Sequence, residues 1–259
     1  MARPTYSVRG LVLKRTKLGE SDVIVSFLLT DGSQAQAVAK GARKPTSSFS
    51  SRLELFCVCD LLLVKGKSLD IVKEARLVDG FPRLRGNVEL TVASSPILEL
   101  ASRTTFPDQA NEHLFDMSLA ALRTISDVQC HDPNLVSAAA LLKALALLGF
   151  RPSFTGCVSC GSPIDLSLNG NSNSVHAFSY LDGGVVCADC YGSLETVSLG
   201  SGLLEWANAL LYGLFDDIAT LSIDENDIRD LLRFLQMWIN VQIQLKLKSL
   251  DFLLMYYGW

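Results

Sequence analysis

The sequence predicts an α+β protein of several domains. An N-terminal five-stranded barrel of the OB-fold type leads into an all-α helical domain that carries an inserted four-cysteine zinc module. Three observations predict this. Five short β-rich segments with glycine turns fill the first eighty residues. Helical periodicity takes over from Pro82. Two Cys-x-x-Cys pairs then interrupt the helices. The expected boundaries are 1–80 for the barrel, 81–152 and 193–259 for the two parts of the helical domain, and 153–192 for the zinc module.

Residues 6–13 are rich in β-formers, and residues 22–30 run into an Asp31-Gly32 turn. Residues 34–40 alternate apolar and polar side chains. Residues 56–65 and 69–75 flank a Gly66-Lys67 turn. The longest gap, 41–52, is polar and basic. In the helical part, one helix is expected to begin at Ser94. Residues 110–125 place Leu114, Met117, Ala121 and Ile125 on one stripe. Asp132 and Pro133 make an N-cap and first-turn pair. Residues 135–148 are apolar nearly all round, the mark of a buried central helix, and Gly149 and Pro152 stop it. Ser201 or Gly202 opens a helix over 203–215, and Ser222 to Glu225 reads as a capping box. Ile228, Leu231, Leu232, Leu235, Trp238, Ile239 and Ile243 stripe the last helix.

The longest apolar run, 135–148, is too short for a membrane span and carries Lys143. The opening Met1-Ala-Arg-Pro-Thr5 lacks the apolar centre of a secretory signal. A cytoplasmic protein without a membrane partner is therefore expected, and its thiols should stay reduced. The formal net charge of −4 hides an asymmetry. Residues 1–90 hold 15 Lys+Arg against 9 Asp+Glu, whereas residues 91–259 hold 8 against 18. One end of the chain is thus suited to a polyanion and the other to proteins or solvent.

Cys157 and Cys160 precede Gly161, and Cys187 and Cys190 precede Gly192. The two-residue spacing lets both sulfurs of each turn face one ion, and the glycine supplies the positive φ such a turn needs. Four thiolates make a closed site, so one structural Zn2+ is expected. The 26 residues between the pairs exceed the usual ribbon spacing, and the polar stretch 169–174 accounts for the excess. A redox Cys-x-x-Cys lacks its βαβ setting, and the spacing matches neither ferredoxin pattern of an iron–sulfur protein. Cys57 and Cys59 share one strand face and belong to a core, and Cys130 is a loop thiol. His176 lies within the module, either as an exposed side chain or as a further ligand.

Nothing in the sequence points to catalysis. His113, His131 and His176 fit no HExxH motif, and no phosphate-binding loop or GxGxxG is present. Asp216, Asp217, Asp224 and Glu225 are explained by helix N-termini. No small-molecule substrate is expected. The basic residues Lys14, Arg15, Lys17, Lys40, Arg43, Lys44, Lys65 and Lys67 fall at expected strand ends and turns, where they can converge on one rim as phosphate contacts. Phe49 is the one aromatic side chain of this region expected to be exposed. Taken singly, each such cation reads as a solvated guard of a strand edge; taken together, with the charge asymmetry, they read as a nucleic-acid surface.

Gly10 to Leu13, Leu18-Gly19-Glu20, Thr30-Asp31-Gly32, Lys40-Gly41-Ala42-Arg43-Lys44 and Leu53 to Phe56, taken in order, resemble the start of the bacterial RecO recombination and repair family. The helices, the four cysteines and Leu247-Lys248-Ser249 extend the resemblance over essentially the whole chain. It implies an OB-fold, a helical domain and a zinc module. It also implies a nucleoid-associated, non-enzymatic recombination mediator that binds single- and double-stranded DNA and anneals complementary strands. With RecR, such a protein helps load RecA onto DNA covered by the single-stranded-DNA-binding protein. The family's basic loop maps onto Lys40, Arg43 and Lys44. A partner site for the acidic tail of the single-stranded-DNA-binding protein is implied on the helical domain, with Arg123, Lys143 and Arg151 as its cations. Leu55 stands where the family commonly has Pro, and Pro45 interrupts the basic run. The alternative to this reading is a zinc-stapled protein-interaction scaffold that does not touch DNA.

Overall fold

The computed structural model describes residues 3–166 and 174–258. The chain forms two compact units, Met1–Ser126 and Asp127–Trp259. In the first, β1 (Thr5–Leu18), β2 (Asp22–Leu29), β3 (Gln34–Ala39), β4 (Val58–Val64) and β5 (Asp70–Asp79) close into a barrel of order β1-β2-β3-β5-β4. Neighbours are antiparallel except β3 and β5, which run parallel with Ala37 opposite Asp70 and Val38 opposite Ile71. This is the OB-type barrel that the sequence predicts. Strand alternation selects the interior: Val12, Val25, Phe27, Ala37, Cys57, Cys59, Leu61 and Leu63 pack inside it. Cys57 and Cys59 are the core residues their spacing suggested.

The strands differ from expectation in extent. β1 continues five residues past 13, because its second half leaves β4 after Leu11 and pairs with β2 alone, as far as Leu18 opposite Asp22. A bulge between Val12 and Lys14 marks the change. Lys14, Arg15 and Lys17 therefore lie within a strand and not at its end. β5 likewise continues to Asp79, paired with Val58. The basic gap after β3 forms successive turns. Phe49, expected to be exposed, packs half-buried against the barrel core, and Leu53 beside it is fully buried.

Three helices complete this unit: α1 (Pro82–Gly86), α2 (Val88–Thr104) and α3 (Leu114–Ser126). α2 starts six residues before Ser94, because Asn87 caps it by accepting the Leu90 N–H at 3.1 Å. Pro96 sits buried inside the helix and removes one ladder hydrogen bond. α3 starts at Leu114 and not at 110. His113 takes φ 79°, and the Asn111 N–H donates to the Asp31 carbonyl at 3.0 Å, so these residues are held outside the helix. Leu114, Ala121 and Ile125 are buried as expected, and Met117 is half-buried. α2 packs on the outside of β1 and β2, where Leu11 and Leu28 point outward and are nevertheless fully buried. The Gln34 side-chain amide donates to the Ser102 carbonyl at 3.0 Å and fastens β3 to the same helix.

The second unit is built around α4 (Pro133–Leu147), buried along almost its whole length. Asp132 accepts from the Asn134 and Leu135 N–H groups at 2.8 and 3.2 Å, which is the expected cap. Beyond it come β6 (Val175–Ser179), β7 (Gly184–Val186) and β8 (Val197–Gly200), then α5 (Ser201–Tyr212), α6 (Phe215–Ala219), α7 (Glu225–Ile243) and α8 (Lys248–Tyr256). The helix expected over 203–215 is divided. Gly213 turns extended after donating to Ala209 at 2.7 Å, and α6 begins separately. Asp224, and not Ser222, caps α7, accepting from the Asn226 N–H at 2.8 Å. Nor is α7 the last helix, because Gln244 in the left-handed region (φ 54°) reverses the chain into α8.

The three strands form an antiparallel sheet of order β7-β6-β8 that the sequence did not suggest. Phe178 of β6 is fully buried, with its ring centroid 5.4 Å from Phe234, 5.8 Å from Trp238 and 6.3 Å from Phe154. These edge and stacked contacts join the sheet to α7. The Trp238 indole N–H donates to the Phe150 carbonyl at 3.1 Å, so its polar atom is paired. The expected polar loop 169–174 lies, apart from Ser174, outside the described residues. Among the described residues no helix is long and apolar enough to cross a membrane.

Candidate nucleic-acid interface and metal centre

The two Cys pairs come together as their spacing predicts. In the first turn the Gly161 N–H donates to the Cys157 carbonyl at 2.8 Å, with Gly161 at φ 78°. In the second, a short 3-10 turn over Ala188–Cys190 brings the Cys190 N–H to the Cys187 carbonyl at 3.1 Å, with Gly192 at φ 91°. All four Sγ atoms lie within 4.8 Å of one another. Cys160 and Cys187 Sγ are 3.6 Å apart, far beyond a disulfide bond. Thiolates at metal–sulfur distances of about 2.3 Å in a tetrahedron are about 3.8 Å apart. The group can hold a metal ion.

The electrostatics agree with that use. The Cys187 N–H, 3.3 Å from Cys157 Sγ, and the Cys160 N–H favour a thiolate and pull the Cys157 pKa down to about 6. The side chain and backbone of Ser162 lower that of Cys160. At Cys187 the Cys190 amide pulls the pKa down, but burial and the neighbouring sulfurs of Cys160 and Cys157 outweigh it, and the thiol is pushed up to about 12. A cation among the four sulfurs relieves that resistance to a second and third thiolate. His176 stands apart from this group. It lies half-buried on β6 and not exposed, with Nε2 shielded from solvent.

The barrel brings Lys17, Lys40, Arg43 and Lys44 to one end, and sets Lys65 beside the start of β1, where its N–H donates to the Pro4 carbonyl at 2.9 Å. β3 finishes between the start of β2, with Val23 opposite Ala39, and the start of β5, with Ala37 opposite Asp70. Lys40, Arg43 and Lys44 therefore emerge beside the β1–β2 turn, just past the β3–β5 seam, whereas the β4–β5 turn that carries Lys65 and Lys67 enters that seam from its other end. Arg43 fastens this rim: its Nη1 donates to the Gly19 and Glu20 carbonyls at 3.1 and 2.9 Å. Asp22 accepts from the Gly41 N–H at 2.7 Å, which with Ser21 and the nearby Lys40 and Lys44 lowers its pKa. Lys17, Lys40, Arg43, Lys44 and Lys67 are exposed. Two of the cations are engaged elsewhere. Arg15 pairs with Glu54, and Lys65 lies 3.5 Å from Asp70 and over the Tyr6 ring. Lys14 is exposed on β1, opposite Ser26.

Arg123 stands exposed on α3 in the first unit, and Arg151 is exposed in the second. Lys143 is committed to its own unit. Its Nζ donates to the Leu211 carbonyl at 2.9 Å, at the end of α5, and lies 5.6 Å from the Phe215 ring centroid. Asp216 and Asp217 occupy the first turn of α6 and Asp224 caps α7, the helix-terminal roles expected of them.

The family model for the N-terminal part of recombination protein O matches residues 1–81, and the model for its C-terminal part matches residues 86–251. The chain belongs to the RecO family. It is similar to the DNA repair protein RecO of a Nocardioides species, with 35% identity over 212 residues that cover 78% of this chain and 84% of the relative. It is 29% identical over 248 residues to that of Desulfitobacterium hafniense, covering 94% and 87%. The RecO protein of Bifidobacterium adolescentis is 33% identical over 187 residues, covering 71% and 73%. As a RecO protein, it is a protein of DNA repair and recombination.

Sequence reasoning passed over one group of cations. Arg9, Arg52, Lys73 and Arg76 line a groove of about 910 Å³ on the outside of β1, β4 and β5. Lys73 and Arg76 are neighbours on β5, but Arg9 comes beside them only through the strand register and Arg52 only through the turns after β3. Three of them fall at outward strand positions, which is the signal that a paired-strand reading of the sequence could have used.

Proposed function

We propose that this RecO protein is a DNA-binding recombination mediator without enzymatic activity. It binds single- and double-stranded DNA and anneals complementary strands. With RecR it helps RecA load onto DNA covered by the single-stranded-DNA-binding protein. The observation that carries the reading is the exposed rim on which Lys40, Arg43 and Lys44 emerge beside Lys17 and the β1–β2 turn of an OB-type barrel. Exposed cations on a rigid rim neutralise phosphates without reading sequence. Neutralising two strands at once lowers the repulsion that opposes their pairing. The four cysteines hold one structural Zn2+. With all four positions taken by sulfur no site remains for an activated water, so the ion serves stability and not hydrolysis.

The test is DNA affinity against salt for Arg43→Glu/Lys44→Glu, with Lys40→Gln/Lys44→Gln as a companion that leaves the Arg43 contacts intact. Weaker binding and a shallower salt slope are expected, together with slower strand annealing. An unchanged slope in both variants refutes the rim. Nuclease activity abolished by a chelator would overturn the non-enzymatic reading.

A further inference from the structure

OB-type barrels commonly bind oligonucleotides across strands 2 and 3. In this chain part of that outer surface is taken. Leu28 of β2 is fully buried beneath α2, and Gln34 of β3 is tied to Ser102. The open surface is the groove over β1, β4 and β5. Arg9, Asp60 and Arg76 face one another as direct neighbours on three adjacent strands. One carboxylate serves two guanidiniums, at 2.7 Å from Arg9 Nε and 2.6 Å from Arg76 Nη2, so the row keeps a positive surplus and unused donors. A bulge between Leu62 and Leu63 inserts Lys73 as an extra residue. Lys73 and Glu74 are both exposed, with Val72 and Ala75 facing the core on either side. Arg52 donates to the Ala75 carbonyl at 3.1 Å and lines the same groove with Phe49.

We infer that this groove is a second nucleic-acid site, in which Arg9, Lys73 and Arg76 bind the phosphates of a single strand while Phe49 offers its ring to a base. The combination selects the ligand. An acidic peptide would use the cations alone, whereas a single strand uses both the charge and an aromatic face set in the wall. Phe49 and Arg52 belong to the same chain segment as Lys40, Arg43 and Lys44, so one segment supplies both the rim and a wall of the groove. The inference rests on the proposed DNA-binding function and adds to it a path distinct from the rim.

The experiment measures binding of fluorescein-labelled oligo-dT to the full-length protein by anisotropy over a salt series. Lys73→Gln/Arg76→Gln should weaken binding and reduce the salt slope by about 1.4, because each single-strand phosphate contact contributes about 0.7. Phe49→Leu keeps an apolar side chain against the core but removes the stacking face, and should cost about fivefold in affinity with the slope unchanged. Melting curves confirm that both variants are folded. Wild-type affinity and slope in both groove variants, with loss in the rim variants, overturns the groove and leaves the rim standing. No loss in either set refutes both. Competition by a poly-glutamate peptide that exceeds competition by unlabelled oligo-dT also overturns the inference, and marks the groove as an acidic-peptide site.

Discussion

Cys157→Ala tests whether the four-cysteine module is a staple. Cys157 is buried, and its sulfur accepts the Cys187 N–H at 3.3 Å. Without any metal, losing that acceptor leaves a poorly satisfied N–H, which costs about 1–3 kcal/mol. In a unit of this size each kcal/mol is about 4 °C of melting temperature, so this floor is about 4–12 °C. With zinc bound the loss is larger, because three thiolates hold the ion more weakly than four and the metal's binding energy is folding energy. The packing of Phe178 on Phe234 and Trp238 limits the damage, since it anchors β6 to α7 independently of the sulfurs. The assay is a thermal melt of wild type and variant with and without chelator, alongside metal content by mass spectrometry. The chelator should lower the wild-type melting temperature by well over 4 °C and change the variant much less. Zinc content should fall from one per chain toward zero in the variant. A folded variant with an unchanged melting temperature that loses DNA binding alone would refute the staple.

Two further outcomes follow from the packing and the charges. Phe178→Ala should cost about 3–5 kcal/mol, read from denaturant unfolding, because the ring is fully buried among four other aromatic rings; less than 1 kcal/mol would mean that the sheet is not anchored on α7. Asp60, held by Arg9 first and Arg76 second, has its pKa lowered to about 2. A depressed carboxylate stabilises the fold above its unfolded pKa of about 3.9 and loses that contribution as pH falls. The stability difference between wild type and Asp60→Asn should therefore be steady near neutrality and shrink between about pH 4 and pH 2; a constant difference across that window would contradict the ion-pair row.

The barrel was legible because its interior is written in alternation: the Val25, Phe27 pair and the Cys57, Cys59, Leu61, Leu63 series place every second side chain inside. The second half of β1 was not legible. Lys14, Arg15 and Lys17 follow where β1 has left β4, so the burial that would have made the segment apolar is gone. α4 announced itself through Asp132, Pro133 and its apolar run. α8 did not, because the reversal before it rests on Gln244 in a conformation more often taken by Gly or Asn. The strands β6 to β8 have three to five residues each, too few for a period to show. The four cysteines were readable from spacing alone, since the chemistry sits in two local turns. The groove of Arg9, Lys73 and Arg76 was not, because its order is set by the register of three strands.

The parallel contact between β3 and β5 has a dynamic consequence. Only two residue pairs close the barrel there, Ala37 with Asp70 and Val38 with Ile71, whereas every other strand boundary is paired along most of its length. Such a seam can open without global unfolding, so its amides should exchange with solvent earlier than those of β1, β2 or β4. Residue 40 lies just past one side of the seam and the β4–β5 turn just before the other. A polyanion that spans from residue 40 to that turn would brace the barrel along its weakest line, and the slowing of amide exchange at residues 37–38 and 70–71 would then report its binding from inside the fold.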